Sequence, residues 1–408
     1  MSTKPASPAG WSAERAEEHL LGLELFGMRF GLERMRRLLT ALGSPQERFG
    51  AIHVVGTNGK SSTVRMTAAL LEAHGVRAGA FLSPHLTTFA ERIRVGDRDL
   101  EPDAFGAAVQ RAAAAAAKVD RGLEPGDRVT QFELITAAAF DELARRQVEV
   151  AVVEAGLGGR HDATGVLRAP VVVLTNVGLE HTRWLGPTIA DIAGEKLAVV
   201  RPDAALILGD VTPEVETLAV ATGARILRPE PVETPLPGYQ ASNFAVACAA
   251  AREHLGLLDP VVVERVAARI TVPGRLQVVA EGPLTILDGA HNPSGVEALV
   301  AALPERPFVG VVSILDDKDA AGMLRPLLSR CRTVVCTAAP SPRALPPATL
   351  ASLVEQLGGG AEIVPAPRAA LARGQELAGP EGAVIATGSI YLIAELVSAA
   401  GQRRASAL

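Results

Sequence analysis

The segment Gly56-Thr57-Asn58-Gly59-Lys60-Ser61-Ser62 combines the residue types of a phosphate-binding loop. Backbone N–H groups that precede a helix N-terminus bind phosphate oxygens, and glycines let the backbone close around the anion. Lys60 would add a positive charge, and the hydroxyl of Ser61 or Ser62 can ligate magnesium. The spacing departs from the usual phosphate loop, because Val54 stands where the first glycine is expected. The segment predicts an ATP site; the alternative is a turn whose glycines serve its geometry alone.

Three further side chains follow predicted strands and could hold a metal ion. Glu154 ends the apolar run 149–153, Ser83 follows the run 78–82, and His181 follows the run 170–174. Carboxylates at such positions beside a phosphate loop hold magnesium directly or through water. The alternatives are a solvated acid at a strand end and a histidine in an ordinary loop.

Lysine is scarce in this chain, so each remaining lysine is informative. Of 40 basic residues, five are lysines. Arginine serves as well wherever only a solvated charge is needed, but it cannot replace an amine. Lys60, Lys196 and Lys318 lie in apolar or glycine-rich surroundings and are therefore candidates for amine chemistry. For Lys196 the alternative is a surface lysine whose stem lies along apolar side chains.

Two polar turns lie in the C-terminal third. Asp288-Gly289-Ala290-His291-Asn292-Pro293 follows the apolar run 284–287, and Asp316-Asp317-Lys318-Asp319 follows the run 308–313. Both could be structural turns. If they are functional, an acid, an imidazole and an amide meet at one strand end, and a second domain would cover ATP held by the first.

The order of elements predicts an α/β protein with two domains. The apolar runs alternate with helical patterns, which favours doubly wound, mostly parallel sheets that bind ligands beyond the carboxyl ends of their strands. Lys60, Ser83, Glu154 and Asn176 are therefore expected to converge. Residues 228–238 are proline-rich, and Thr271-Val272-Pro273-Gly274-Arg275 predicts a boundary. We expect an ATP-binding domain over 1–272 and a smaller Rossmann-like domain over 273–408.

Composition bounds the function classes. The chain has 408 residues, 48% apolar content, only 3% aromatic residues and a net charge of −5. Interspersed charges argue against a nucleic-acid partner, and no apolar run is long enough to cross a membrane. Cys248, Cys331 and Cys336 form no CxxC pair, which predicts buried, reduced thiols. The expected location is the cytoplasm.

Taken together, the motifs resemble the folylpolyglutamate synthase/dihydrofolate synthase family of the Mur ligase superfamily. The resemblance runs from about residue 15 to 398, and the order of the motifs carries it more than any one of them. The motifs are HVVGTNGKSS (53–62), SPHL (83–86), ERIRV (91–95), FELITAAAF (132–140), VVEAGLGGRHDAT (152–164), TNVGLEH (175–181), GEKLA (194–198), PGR (273–275), DGAHNP (288–293), DDKD (316–319), PSPRALP (340–346) and TGSIYL (387–392).

The resemblance implies a reaction and a set of roles. ATP would phosphorylate the carboxylate of a pterin-bearing acid, and the amine of L-glutamate would attack the acyl phosphate. The segment 56–62 would bind the ATP phosphates, with Lys60 at the transferred end, and Asn243 would contact adenine. Two Mg²⁺ ions are expected, and Ser83, Glu154 and His181 match the ligands of one of them.

The remaining roles also follow from the resemblance. Lys196 matches the lysine that is carbamylated in this superfamily, which makes an amine into an anionic metal ligand. Arg275 and His291 match residues that reach the ATP phosphates from the second domain, and Asp288 belongs to the same catalytic turn. A monomer is the family expectation.

The chain departs from the family at three places. Ser61 stands where glycine commonly follows the loop lysine, Gly165 stands where asparagine is usual, and the region before Gln240 is short. These departures leave other readings open. One is a Mur-type amide synthetase acting on a different acid and amine, and another is an ATP-binding module without turnover.

Overall fold

The computed structural model describes residues 10–23 and 31–398. The chain divides into two compact units. The first comprises the residues up to His85, Phe89–Pro231 and Asn243–Val266, and the second comprises Leu86–Thr88, Val232–Ser242 and the residues from Ala267 onward. The division expected at residue 273 thus falls inside the second unit, which also takes part of the proline-rich excursion.

The first unit is built on an eight-stranded sheet. Its strands are β1 (Gly50–Val55), β2 (Ala78–Phe81), β3 (Ile93–Val95), β4 (Arg98–Asp99), β5 (Val150–Glu154), β6 (Val171–Leu174), β7 (Ala205–Leu208) and β8 (Arg225–Leu227). Their order is β4-β3-β2-β5-β1-β6-β7-β8. The strands β2, β5, β1, β6, β7 and β8 run parallel to one another, whereas β3 and β4 form an antiparallel edge next to β2. Because β1 lies between β5 and β6, the carboxyl ends of these three strands are neighbours.

Helices cover this sheet and connect its strands. They are α1 (Ala13–Leu21), α2 (Glu33–Ala41), α3 (Lys60–Ala73), α4 (Pro102–Asp120), α5 (Gln131–Arg145), α6 (Thr182–Leu185), α7 (Ile189–Leu197) and α8 (Pro213–Val220). Two further helices follow β8, α9 (Tyr239–Leu255) and α10 (Pro260–Arg269), and each is divided between the two units. A capping box between Thr130 and Glu133 fixes the start of α5. Twelve of its fifteen residues are buried, among them three consecutive alanines, Ala137 to Ala139.

The second unit contains a six-stranded sheet. Its strands are β9 (Gln277–Glu281), β10 (Leu284–Leu287), β11 (Phe308–Val312), β12 (Cys331–Cys336), β13 (Gly360–Ile363) and β14 (Ala383–Thr387), and its further helices are α11 (Pro293–Ala302), α12 (Ala320–Leu328), α13 (Pro347–Gln356), α14 (Pro367–Ala378) and α15 (Ile390–Val397). The order is β13-β12-β11-β14-β10-β9, and β9 alone is antiparallel. Apolar clusters lie on both faces of the sheet, around Leu299 and Leu324 on one side and around Val311 and Val384 on the other. The predicted fold class, a doubly wound sheet domain followed by a smaller Rossmann-like domain, is confirmed.

Two compositional predictions can be compared with the structure. Cys248, Cys331 and Cys336 are buried and form no disulfide, and burial raises the pKa of the Cys248 and Cys331 thiols to about 12. Within residues 10–23 and 31–398, no helix combines the length and the apolarity that crossing a bilayer requires.

Candidate active site

The predicted phosphate loop connects β1 to α3, and two of its residues must be glycine. Gly56 has φ +147°, and a Cβ there would overlap the hydroxyl of Thr175. Gly59 has φ +80° and is the N-cap of α3, and a Cβ there would meet the side-chain amide of Asn243. Positive φ and close approach both exclude larger residues. Asn243, the predicted adenine contact, therefore lies against the loop.

The end of β6 holds the loop in shape. The Thr175 hydroxyl donates to the Asn58 carbonyl at 2.6 Å, and the Asn58 N–H donates to Asn176 Oδ1 at 2.9 Å. The Thr57 N–H donates to the Asn176 carbonyl, and the Gly178 N–H donates to the Thr57 hydroxyl at 2.9 Å. Sequence reasoning placed Asn176 at this edge but missed Thr175, although a polar pair directly after a strand is a usable signal.

Lys60 opens α3 with its amine beside the loop. Its Nζ donates to the Thr57 carbonyl at 2.9 Å. The side chain is half-buried, so the positive charge is held close to the backbone that would cradle phosphate. The position suits an electrostatic contact to a transferred phosphoryl group.

The Glu154 carboxylate lies beside Ser61 and Ser83, two other candidate metal ligands. It lies opposite Val54 in the pairing of β5 with β1 and is 1% exposed. The Ser61 hydroxyl donates to its Oε1 at 2.9 Å, and the Ser83 N–H donates to its Oε2 at 3.1 Å. Ser62 is buried, and its hydroxyl has no hydrogen-bond partner among the described residues. Of the two candidate serines, Ser61 faces the carboxylate.

The oxygen-rich surroundings of Glu154 fit a magnesium ion that arrives with a nucleotide. Among the residues that the structure describes, no three His, Cys, Asp or Glu side chains form a group that could hold a metal. Mg²⁺ keeps several waters and takes one or two carboxylates plus phosphate oxygens, so it needs no all-protein cage. His181 is the half-buried N-cap of α6.

Lys196 is buried beneath the phosphate loop. It lies on α7, is 2% exposed, and its Nζ donates to the Gly56 carbonyl at 2.9 Å and to the Leu157 carbonyl at 3.0 Å. Burial and, to a smaller extent, the charge of Lys60 lower the pKa of its amine to about 7, although the charges of Glu180 and Asp162 oppose this. The surface reading of this lysine is therefore wrong. Glu180, which sequence reasoning passed over, is buried next to His181 in the chain.

A cavity of about 250 Å³ lies next to this cluster. Its lining includes Ser83, the turn Gly156–Gly159, Glu195, Gln131, Phe132 and Asp162. The other lining residues are Gly31, Leu32, Arg34, Arg92, Thr130, Glu133, His161, Ala163, Trp184 and Leu185. Because these residues come from many separate segments, no sequence pattern could have shown that they share a cavity.

The turn after β5 is shaped by Asp162. Its Oδ2 accepts from the N–H groups of Leu157 and Gly158 at 2.9 and 3.0 Å. Gly159 has φ +144°, and a Cβ there would overlap the Glu195 carbonyl, so α7 packs directly on the turn. A Cβ at Gly165 would be 3.0 Å from the Gly159 carbonyl, which accounts for glycine at this departure from the family.

The second unit places its predicted residues around one buried carboxylate. Asp288 is 1% exposed; its Oδ2 accepts from the Tyr239 hydroxyl and from the Leu276 N–H at 2.8 Å, and its Oδ1 accepts from the Ala290 N–H at 2.9 Å. Burial and the neighbouring Asp288 charge raise the pKa of Tyr239 well above its usual value, so the phenol stays a donor. Sequence reasoning missed Tyr239, because nothing nearby marks it.

Arg275 and His291 lie on the turns that Asp288 joins. The Gly289 N–H donates to the Gly274 carbonyl at 2.9 Å, and a Cβ at Gly289 would overlap the Arg275 guanidinium. His291 Nδ1 is 2.8 Å from the Gly289 carbonyl. A carbonyl only accepts, so Nδ1 carries the proton and Nε2 is the acceptor in the neutral ring.

Comparisons with known proteins agree with this geometry. Residues 54–210 match the Mur ligase middle domain, and residues 274–390 match the Mur ligase glutamate ligase domain. The chain is 35% identical to the dihydrofolate synthase/folylpolyglutamate synthase of Mycobacterium tuberculosis, over 80% of this chain and 78% of that one. It is 32% identical to the enzyme of the same name from Escherichia coli K12, over 98% and 97%.

Solved structures show the same architecture. Mycobacterium tuberculosis folylpolyglutamate synthase complexed with ADP superposes with a TM-score of 0.88 at 32% identity, over 96% of this chain and 99% of that one. Escherichia coli FolC in complex with DHPP and ADP gives 0.85 at 30% identity, over 96% and 98%. A bifunctional folylpolyglutamate synthase/dihydrofolate synthase with Mn, AMPPNP and L-glutamate bound gives 0.84 at 28% identity, over 96% and 98%. The chain belongs to the dihydrofolate synthase/folylpolyglutamate synthase family of Mur ligases, and its enzyme class is that of an ATP-dependent ligase.

Proposed function

We propose that this enzyme activates the carboxylate of dihydropteroate or a reduced folate with ATP and joins it to L-glutamate as an amide. The cavity next to Glu154 carries this proposal. It is lined by Ser83, which donates to Glu154 beside the phosphate loop, and by the turn Gly156–Gly159, Phe132 and Asp162. An acid that filled it could place a flat ring against Phe132 and its carboxylate near the transferred phosphoryl group. The E. coli relative was solved with DHPP and ADP, and a bifunctional relative was solved with L-glutamate bound.

The phosphate loop and Glu154 would hold ATP and its metal. The segment Gly56–Ser62 would bind the phosphates, Lys60 would neutralise charge at the transferred end, and Asn243 would contact adenine. Ser61, Ser83, Glu154 and His181 would serve the metal. Magnesium, when bound, supplies charge neutralisation for the phosphates. Relatives were solved with ADP and with AMPPNP and Mn.

Lys196 would act as a carbamate rather than as an ammonium. The amine is buried in a chain that otherwise favours arginine, and its lowered pKa leaves a large neutral fraction near pH 7. Carbon dioxide reacts with a neutral amine, and the product carries a negative charge that suits a metal site. Arg275 and His291 of the second unit are the further residues proposed for the ATP phosphates, with Asp288 supporting both of their turns.

Phosphate release from ATP tests the proposal. The purified enzyme is given ATP and Mg²⁺ with dihydropteroate, with tetrahydrofolate, or with a panel of unrelated acids, each with and without L-glutamate. We expect turnover only with a pterin acid and glutamate, and a product heavier by one glutamate residue. Stimulation by an unrelated acid but by no pterin would establish the other Mur-type synthetase. ATP binding with no turnover on any acid would favour the binding module.

A further inference from the structure

A buried histidine under the cavity connects to its wall through one hydroxyl. His53 lies on β1 and is 1% exposed, and its Nε2 is 2.8 Å from the Thr164 hydroxyl. The same hydroxyl is 2.6 Å from Asp162 Oδ1. Thr164 is fully buried. Three side chains therefore form a continuous path from the centre of the sheet to the cavity.

The direction of both hydrogen bonds follows from the carboxylate. An ionised carboxylate only accepts, so the Thr164 hydroxyl donates its proton to Asp162. The same oxygen must then accept from His53, which fixes the proton of the neutral ring on Nε2. Burial lowers the pKa of His53 to about 4, and the charge of Asp162 opposes this only partly. The ring is thus a neutral donor under ordinary conditions.

Each carboxylate oxygen of Asp162 accepts two hydrogen bonds from the loop around it. Oδ1 accepts from the hydroxyl and the N–H of Thr164, and Oδ2 accepts from the N–H groups of Leu157 and Gly158. The Leu157 carbonyl in turn accepts a hydrogen bond from Lys196 Nζ. The orientation of the Asp162 carboxylate therefore decides the shape of the turn that lines the cavity.

We infer that His53 and Thr164 are positioning residues, which set the Asp162 carboxylate and with it the acid-binding wall of the cavity. This inference rests on the proposed function for the identity of the acid. It assigns a role to His53, which lies outside the segment that would contact ATP. Among the residues that the structure describes, the side-chain hydrogen bonds of this path reach the nucleotide loop through Leu157 and Lys196. The loss of the path should therefore weaken acid binding more than ATP binding.

Two substitutions at one position test the path. Thr164→Val keeps the shape and removes the hydroxyl, whereas Thr164→Ser keeps the hydroxyl. The valine variant loses the hydrogen bond from Thr164 to the charged Asp162 carboxylate. The KM for dihydropteroate should therefore rise roughly 10- to 100-fold. The KM for ATP should stay within about twofold, and the serine variant should stay within about threefold of the wild type for both substrates.

Thr67→Val is the matched control. Thr67 is fully buried on α3 in the same unit, and its hydroxyl has no hydrogen-bond partner among the described residues. The same change of atoms there should leave both KM values unaltered. Equal KM values for the Thr164→Val variant and the wild type would overturn the inference. So would a parallel rise in both KM values, or a serine variant as impaired as the valine variant.

The histidine tautomer supplies a readout that does not depend on turnover. In ¹⁵N-resolved NMR spectra of the full chain, assigned with a His53→Asn variant, His53 should show a proton on Nε2 that exchanges slowly. A proton on Nδ1 instead would overturn the path. If the wild type releases no phosphate with any pterin but His53 shows the Nε2 proton, the proposed acid is wrong while the path stands.

Discussion

Glu154 and Asp288 are two buried carboxylates that look alike in the sequence and differ in their donors. Each follows or ends an apolar strand of a parallel sheet, one in each unit, and each is 1% exposed. Glu154 accepts from the Ser61 hydroxyl and the Ser83 N–H, groups that belong to the predicted ATP and metal site. Asp288 accepts from Tyr239 and from two N–H groups of the turns on either side of it.

The difference teaches that position at a strand end does not by itself assign chemistry. A buried carboxylate that ties together its own backbone turns stabilises the fold, since removing the acceptor leaves buried donors unpaired. A carboxylate whose partners are a loop hydroxyl and a strand-end N–H can exchange them for a ligand. We therefore expect Glu154 to act on the metal and Asp288 to act through Arg275 and His291, whose turns it joins.

The largest expected effect concerns the phosphate loop. Lys60→Ala removes the cation beside the loop, and losses for a single electrostatic stabiliser run about 10²–10³-fold or more in kcat. The thermal unfolding curve should not change. Lys118→Ala, at an exposed lysine of α4, is the control and should keep wild-type turnover. Activity of the Lys60→Ala variant within tenfold of the wild type would refute the role of the loop.

Lys196→Arg should fail although the charge is nominally kept. A guanidinium cannot form a carbamate. It is also larger than the buried amine, which donates to the Gly56 and Leu157 carbonyls. We expect ligation to fall by about two orders of magnitude, as for a lost transition-state stabiliser. Lys196→Ala should recover in part when a short carboxylate is added. Wild-type turnover of the arginine variant would exclude the carbamate, with Lys118→Arg showing that the exchange is otherwise tolerated.

Exchanging each carboxylate for its amide tests the comparison directly. Glu154→Gln should lower kcat about 10²–10³-fold and leave the unfolding temperature near that of the wild type. Asp288→Asn should lower the free energy of unfolding by about 1–3 kcal/mol, because an amide nitrogen would face a buried N–H donor. Calorimetry gives the stability of each variant, and phosphate release gives its kcat. If the two variants lose equal stability, the distinction drawn from their donors is wrong.

The sequence predicted more of the fold than of the site. Apolar runs and their alternation with helices identified β1, β2, β5, β6, β10, β11, β12 and β14, since buried parallel strands leave a strong pattern. The strands β3, β4, β8, β9 and β13 were missed, because they are short or partly exposed and carry no such pattern. The buried strand β7 was missed as well. Among the side chains, Ser83 and Glu154 were expected to lie together from the strand ends alone, whereas the choice of Ser61 over Ser62 came from the structure.

The rest of the site depends on contacts between distant segments. His53 stands inside an apolar run and gives no sign of the path to Asp162. Tyr239 precedes Asp288 by 49 residues, and the cavity is assembled from short stretches across the first unit. Such sets are fixed by tertiary packing, so local spacing cannot show them.

The smallest expected effect comes from the donor to Asp288. Tyr239→Phe removes one hydrogen bond to a buried charge but leaves two N–H donors, so the free energy of unfolding at pH 7 should fall by about 1–2 kcal/mol. Burial and Asp288 raise the pKa of Tyr239 in the folded protein. Above pH 10 the unfolded chain releases this proton while the folded protein keeps it, so the folded state loses stability as the pH rises. The phenylalanine variant has no such proton, and the difference from the wild type should shrink between pH 10 and 11. Tyr391→Phe, at the other tyrosine of the chain, is the control for the loss of a phenol hydroxyl elsewhere. A constant difference across this pH range would mean that Tyr239 does not hold its proton against Asp288 in the folded protein.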